Sequence, residues 1–347
     1  MSQLRVGLIG CGRVVERFHL PALLDNPQWV VAAASDVSKA RRSWFQLQVD
    51  GVPVFEGAGQ MLDRVPLDAV LVAATPDRHT ELALQALERG INVLLEKPGG
   101  TSLTAARTMA DAAALAKRHL WVNFNRRFMS NYQTLAQALA ALRQSPAVRG
   151  LFALSFNPRE WDSVAGHLTD VAAGGGVLLD VASHQMDALG WLSGHNVRSL
   201  RVLDWSHAAE QEELRYAAEL SNGWSIDCLA RHGTGYREQM LLEWEGGRAT
   251  LFPTGIYLTS WLPRPWHVAA VRGKHWLHRK LIRLGLARDV MSDSFRRQWQ
   301  AFGRAIEEAG PADGGTWAAL LSVHAGLEAI RKSHETGLQV TLPSGGP

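Results

Sequence analysis

Five short apolar runs mark the first third of the chain, and each gives way to residues with helical spacing. They are LRVGLI at 4–9, WVVAAAS at 29–35, DAVLVAA at 68–74, INVLLE at 91–96 and LWVNFN at 120–125. The intervening segments, through Leu24, over 38–48 and 79–89, and in an Ala-rich stretch to about 117, repeat their apolar residues at helical intervals. A strand that is apolar on both faces needs cover on both faces. The alternation therefore predicts a parallel sheet flanked by helices.

After residue 125 the pattern changes. A helix is expected over 130–143, then strands at 148–156, 197–205, 213–221, 224–232, 239–245 and 248–252. They are separated by turns such as Ser221-Asn222-Gly223 and Glu245-Gly246-Gly247. Consecutive strands without crossover helices predict a mostly antiparallel sheet. Helices are expected at about 176–192, 293–309 and 316–336. The expected organisation is an α/β domain over 1–124 and an α+β domain with an open, mostly antiparallel sheet over 125–347. The C-terminal helices are free to pack back on the first domain.

At 347 residues there is enough chain for two cores. A net charge of +3, from 36 basic and 33 acidic residues, is too small to argue for nucleic acid. Cys11 and Cys228 make neither a disulfide framework nor a metal site, so no metal is expected and a reducing cytoplasm is the natural reading. No apolar run is long enough for a membrane span, and the opening MSQLRVGLIGCG does not read as a signal peptide.

Gly10-Cys11-Gly12-Arg13-Val14-Val15 stands where the first strand meets the first helix. Glycines there let backbone approach a pyrophosphate, and the helix start offers free N–H groups. Val15 replaces the third glycine of the dinucleotide fingerprint, so the match is partial. Asp36, ending the second strand, would accept the adenosine ribose hydroxyls and repel a 2′-phosphate. That favours NAD, with NADP left open by Arg41 and Arg42, whose simpler reading is as solvated helix residues. Cys11 reads as a small residue in a tight loop.

The remaining strand ends carry Thr75-Pro76 with His79, Glu96-Lys97-Pro98, and Asn123 to Arg127. Ligands of open α/β sheets bind beyond the C-terminal ends of the strands, so these segments are expected on one rim. Taken singly they have plainer readings: a helix entry, a first-turn histidine, surface arginines. Lys97 is the sharpest of them. It is held between Glu96 and Pro98, with its backbone restricted by the proline and a cis bond available to it. Partial burial beside a cationic ring would lower its pKa and suit it to proton transfer or to polarising a substrate oxygen.

In GGGVLLDVASHQMDALGWLSG, at 174–194, Asp180, His184 and Asp187 are spaced i, i+4, i+7 on an otherwise apolar helix. Buried ionisable groups need partners or a function. Asp180 and His184 read as chemistry, since a carboxylate one turn from a histidine can hold its ring. Asp187 reads as structure.

The segments VGLIGCG, AATPDRH, LLEKPGG and GGGVLLDVASHQMD resemble the glucose–fructose oxidoreductase/inositol dehydrogenase (Gfo/Idh/MocA) family. The closing SFRRQWQAF and TWAALLSVHAGLEAIRKS resemble its C-terminal helices. The resemblance implies a Rossmann domain joined to an open sheet, and homodimers or homotetramers packed through that sheet. It further implies NAD(H) or NADP(H) and redox chemistry at a hydroxyl or ketone of a sugar, cyclitol or nucleotide-linked sugar. By the same resemblance Lys97, Asp180 and His184 line the substrate site, His184 moving a proton while nicotinamide C4 exchanges hydride. Expected cofactor contacts are Gly10, Gly12, Arg13, Val14, Asp36, Thr75, Pro76, His79, Glu96, Lys97 and Asn125. Arg126 and Trp161 are expected beside the three catalytic residues at the substrate. Two other activities stay open, a glycosidase using transient oxidation by NAD and a non-catalytic NAD(H)-binding protein.

From Arg248 to Arg288 the chain has eight Lys or Arg and no acidic residue. The stretch 261–288, rich in Trp, admits contact with a nucleotide sugar's phosphates, an anionic membrane, or a neighbouring subunit, of which the last is favoured.

Overall fold

All five apolar runs of the first third become strands of one parallel sheet. They are β1 (Leu4–Ile9), β2 (Trp29–Ser35), β4 (Ala69–Val72), β5 (Asn92–Leu95) and β6 (Leu120–Val122), with a short β3 (Val54–Phe55) at the edge. The computed structural model describes residues 3–143, 148–158, 175–208, 211–253, 255–260, 289–308 and 317–343. The chain divides into two compact units. The first comprises Met1–Phe124, Arg159–Asp180 and Phe295–His324; the second comprises Asn125–Pro158, Val181–Ser294 and Ala325–Pro347.

In the first unit the strand order is β3-β2-β1-β4-β5-β6, and the order reverses beside β1. The crossover helices are α1 (Leu20–Leu24), α2 (Lys39–Gln48), α3 (Ala58–Arg64), α4 (Pro76–Glu88) and α5 (Leu103–Ala116). Ser38 and Ser102 cap α2 and α5 by accepting from Arg41 N and Ala105 N. The core is the run of fully buried Val6, Leu8, Val70, Leu71, Val93 and Leu94. Part of helix α8 (Val290–Glu308) belongs to this unit as well. Trp299 accepts at its carbonyl from Trp29 Nε1 at 3.0 Å, and Phe302 stacks on Trp29.

The second unit is built on the strand order β13-β12-β11-β7-β10-β9-β8-β14. The strands are β7 (Arg149–Phe156), β8 (Val197–Ala208), β9 (Gln211–Leu220), β10 (Ser225–His232), β11 (Arg237–Trp244), β12 (Gly247–Phe252), β13 (Gly255–Ser260) and β14 (Val340–Thr341). Every neighbouring pair is antiparallel except β7 and β10, which run parallel from Arg149↔Ser225 to Phe156↔His232. Alternation along β10, with Ile226, Cys228, Ala230 and His232 inward, leaves one face of the sheet covered. Helix α7 (Ser183–Ser193) lies on the covered face, and its Gln185 donates to Phe152 O at 2.8 Å and Leu229 O at 3.0 Å. One amide thus ties the two parallel strands together. Helices α6 (Ser130–Leu139) and α9 (Trp317–Thr336) complete the described α-helices.

The short β3, β13, β14 and α3, and the parallel pairing inside the second sheet, were not foreseen from the sequence. Among the described residues, no helix is long and apolar enough to cross a membrane, and no group of His, Cys, Asp or Glu is placed to hold a metal.

Candidate functional site

The glycine loop is shaped by β4. Gly10 has φ +89°, and a methyl group built there would lie 2.5 Å from the Ala73 carbonyl oxygen. At Gly12 the same methyl would meet nothing within 4 Å. Open space over a glycine at a helix start is the cradle that a pyrophosphate needs, so a dinucleotide fits the residues present. Arg13 is exposed and Val14 half-buried beside it, while Val15 is fully buried. After an α-type first bond, Glu16 N to Gly12 O at 3.0 Å, the helix widens into a π turn, Val15–His19, immediately before α1. Pro21 has no N–H to close an α bond to residue 17, which accords with a wide turn there.

Asp36 uses both carboxylate oxygens on the loop, accepting from Cys11 N at 2.7 Å and Ser38 N at 2.8 Å. Arg41 and Arg42 are not the solvated helix residues that the sequence suggested. Arg41 Nε donates to Cys11 O at 2.5 Å, its guanidinium pairs with Glu16 and lies over the Trp44 ring, and Arg42 donates to Asp36 O and Val37 O. Both are committed to holding the loop. Cys11 is fully buried, and burial pushes its thiol up to about 12.

At the neighbouring strand end, Thr75 precedes α4 and Pro76 opens it. His79, in the first turn, is 1% exposed and holds Ala74 O at 3.0 Å through Nε2. A ring nitrogen facing a carbonyl must donate, so the proton sits on Nε2. Nδ1 is buried with no hydrogen-bond partner. Burial lowers the His79 pKa to about 4, so the ring is neutral at physiological pH.

Lys97 follows β5, and its bond to Pro98 is cis. Its Nζ donates to the Asp180 carboxylate and, at 3.3 Å, to the Asp180 carbonyl. Asp180 comes from a second π turn, Leu178–Ala182, which leads straight into α7. The lysine side chain keeps 20% exposure and the aspartate 9%. The loop around them is fastened at each residue. Glu96 Oε2 accepts from Lys97 N at 3.1 Å, and Pro98 O accepts from His324 Nε2 at 3.0 Å. A methyl at Gly99 would lie 2.5 Å from Leu320, so the loop and α9 touch at van der Waals distance.

The other Glu96 oxygen accepts from His19 Nε2 at 2.8 Å and from Asn123 Nδ2. Burial pushes the Glu96 carboxyl up, but the hydrogen bonds from His19 and Asn123 and the charge of Lys97 outweigh it, and the net shift is downward. His19 and His324 are buried residues that the sequence reading did not single out. Their partners lie 77 and 226 residues away, at no local spacing that a pattern search would test.

In the second unit, His184 is 6% exposed and meets Phe156 edge-on, with ring centroids 5.9 Å apart. Phe156 in turn stacks on Tyr236. Asn125 Nδ2 faces Met291 Sδ and Ser294 Oγ. Arg126 and Arg127 are not surface charges. Arg126 is 2% exposed, and its Nε donates at 2.6 Å to Glu238, which also accepts from Tyr132 and Tyr236. A substrate contact by Arg126 would have to form beside that commitment, from its remaining Nη2. Arg127 clasps the buried Asp187 with two nitrogens, Nη2 at 2.6 Å. Trp161 and the basic stretch 261–288 lie outside the described residues.

Residues 4–124 match the Gfo/Idh/MocA family, described as an oxidoreductase family with an NAD-binding Rossmann fold. The rhizopine catabolism protein MocA of Rhizobium meliloti is 30% identical over 202 residues, covering 58% of this chain and 61% of that protein. The chain thus spans less than two thirds of MocA's length. The D-glucoside 3-dehydrogenase of Escherichia coli is 25% identical over 281 residues, covering 74% of this chain and 79% of that protein. In fold, the crystal structure of myo-inositol 2-dehydrogenase from Lactobacillus plantarum is similar with a TM-score of 0.79 at 18% identity, covering 99% of this chain and 100% of that one. The match to this oxidoreductase family thus lies in the glycine-loop unit, and the likeness in fold extends over nearly the whole chain.

Proposed function

We propose that this protein is an NAD-dependent oxidoreductase that moves a hydride between nicotinamide and a hydroxyl or ketone carbon of a ring polyol. The substrate classes are sugars, cyclitols and nucleotide-linked sugars. The observation that carries the reading is Lys97, placed at a strand end of the dinucleotide-type unit and ion-paired with Asp180. A cation held at that rim by a carboxylate, and still partly exposed, is suited to grip a substrate oxygen. The relative named D-glucoside 3-dehydrogenase supports the same class of chemistry.

NAD supplies the hydride acceptor in the oxidative direction. Gly10, Gly12 and the helix start hold its pyrophosphate, with Arg13 and Val14 beside them. Asp36, presented by the Arg41- and Arg42-braced loop, takes the ribose hydroxyls and disfavours a 2′-phosphate. Thr75 and Pro76 line the next strand end, and His79 fixes that turn through Ala74. Lys97 orients the reacting oxygen and stabilises charge developing on it. Asp180 holds Lys97 in place, and His184, four residues further along the same helical segment, accepts the hydroxyl proton. Glu96 acts on Lys97 rather than on the ligand. Self-association through the open face of the eight-stranded sheet, where Leu151 is 41% exposed, belongs to the same reading, and light scattering checks it.

A thermal-shift screen tests the assignment. NAD(H) and NADP(H) are each combined with free sugars, cyclitols and nucleotide sugars. The expected result is stabilisation by NAD(H) over NADP(H), increased further by one ring-polyol class that also reduces NAD. Preference for NADP(H), or no turnover with any ring polyol, would contradict it.

A further inference from the structure

The hydrogen bonds behind Lys97 run in one direction. Trp299 Nε1 can only donate, and it points at His19 Nδ1 at 3.1 Å. Nδ1 is therefore the bare nitrogen, the proton is on Nε2, and Nε2 donates to Glu96 Oε1 at 2.8 Å. Asn123 Nδ2 donates to the same oxygen. Glu96 Oε2 then accepts from the backbone N–H of Lys97. A neutral ring between an indole and a carboxylate thus ends at the lysine that the reading above places on the substrate.

The chain of contacts is buried and walled by aromatic rings. His19 is fully buried and Glu96 is 7% exposed. Phe295 meets the His19 ring edge-on at 4.8 Å and stacks on Phe18, and Trp299 meets it edge-on at 5.9 Å. Phe295 and Trp299 come from the SFRRQWQAF stretch, whose resemblance to family helices says nothing of their task. The groups facing Glu96 with charge or titratable protons are His19, Lys97 and, more distantly, His79. Asp180 faces Lys97 from the opposite end.

We infer that His19, oriented by Trp299, is a positioning residue for Lys97: it keeps Glu96 an anion whose second oxygen fixes the lysine backbone, so that Nζ is delivered to Asp180 and to the substrate. The inference rests on the proposed role of Lys97. Its effect belongs on turnover rather than on cofactor affinity, because none of these atoms lies at the glycine loop.

The test compares His19→Leu, His19→Gln and Trp299→Phe with Lys97→Ala in the full-length protein, on the substrate found by the screen. His19→Leu should lower kcat on the order of 10- to 100-fold, as small misplacements of catalytic groups do, with the NAD Kd within about threefold. Its acid limb of kcat against pH should move upward, because Glu96 loses a donor to its charged form. His19→Gln, which keeps a donor near Nε2, should recover most of kcat and return the limb. Infrared spectra across the acid limb should show a protonated carboxyl band that appears at higher pH in His19→Leu than in wild type and is absent in the double variant with Glu96→Gln. A His19→Leu enzyme with unchanged kcat, unchanged acid limb and a carboxyl band at the wild-type pH, while Lys97→Ala is inactive, overturns the positioning role alone. An active Lys97→Ala overturns the catalytic reading beneath it. If His19→Leu does not fold, Trp299→Phe carries the test. It frees the His19 tautomer and should shift the acid limb in the same direction, and an unshifted limb contradicts the inference.

Discussion

Gly10 and Gly12 belong to one motif and are glycine for different reasons. Gly10 has a positive φ and Ala73 O against it, whereas Gly12 is bare toward the space that a pyrophosphate would fill. Gly10→Ala should therefore destabilise the fold by about 1–3 kcal/mol in urea unfolding, the range for strained backbone positions. Gly12→Ala should leave stability nearly unchanged and weaken NAD binding by calorimetry. His79 gives a prediction with a sign. Its folded pKa of about 4 lies below the ordinary 6.5, so between those values the unfolded chain binds more protons. The stability it contributes is complete above the upper value and is lost as pH falls toward the lower one. The stability gap between wild type and His79→Gln should then narrow by about 2 kcal/mol from roughly pH 7 to pH 5. A pH-independent gap would mean that the histidine is charged or solvated in the folded state. Lys97 and Asp180 were legible as residues because each broke a local rule, a cation at a buried strand end and a carboxylate on an apolar helix. His19 was not, since a lone histidine in a helix looks like any other until Glu96 and Trp299 are brought to it.

At the scale of elements, the helix after the triple glycine departs from its expected period. The 3.6-residue stripe would put Asp180, His184 and Asp187 in one line, but the helix widens into a π turn over Leu178–Ala182. The three residues take separate partners: Lys97 for Asp180, the Phe156 ring for His184 and Arg127 for Asp187. The sequence pattern established that the segment was helical and buried. It could not show the wide turn, which depends on backbone hydrogen bonds rather than on side-chain periodicity. The second sheet shows the same limit. Its antiparallel hairpins follow from turns such as Ser221–Gly223, but the β7–β10 parallel pair joins strands nearly 70 residues apart and leaves no local signal. The 3₁₀ turn Asn125–Phe128 after β6 places Arg126 against Glu238 on β11, so that element is locked by a buried ion pair. Glu238→Gln, which leaves the guanidinium buried without its anion, should cost about 3–5 kcal/mol in urea unfolding. A cost under about 1 kcal/mol would show that the pair is solvated.

Across the whole molecule, the two units are stabilised differently. The first is a doubly wound parallel sheet with an apolar interior, and its buried polar groups lie mainly at the strand ends that carry the candidate site. The second packs one face of a mixed sheet and keeps buried ion pairs, Arg126 with Glu238 and Arg127 with Asp187, inside its core. The division into an α/β part and a mostly antiparallel part was legible because strand burial on two faces and on one face leaves different sequence patterns. The central claim is that Lys97 serves hydride transfer rather than cofactor binding or folding. Its most direct test is stopped-flow NADH formation by wild type and Lys97→Met on the ring polyol identified by screening. Loss of a charge-stabilising group predicts a fall of at least about 100-fold in the rate of the hydride step, with the NAD Kd within about threefold and the melting temperature close to wild type. A Lys97→Met protein that forms NADH at the wild-type rate would contradict the account.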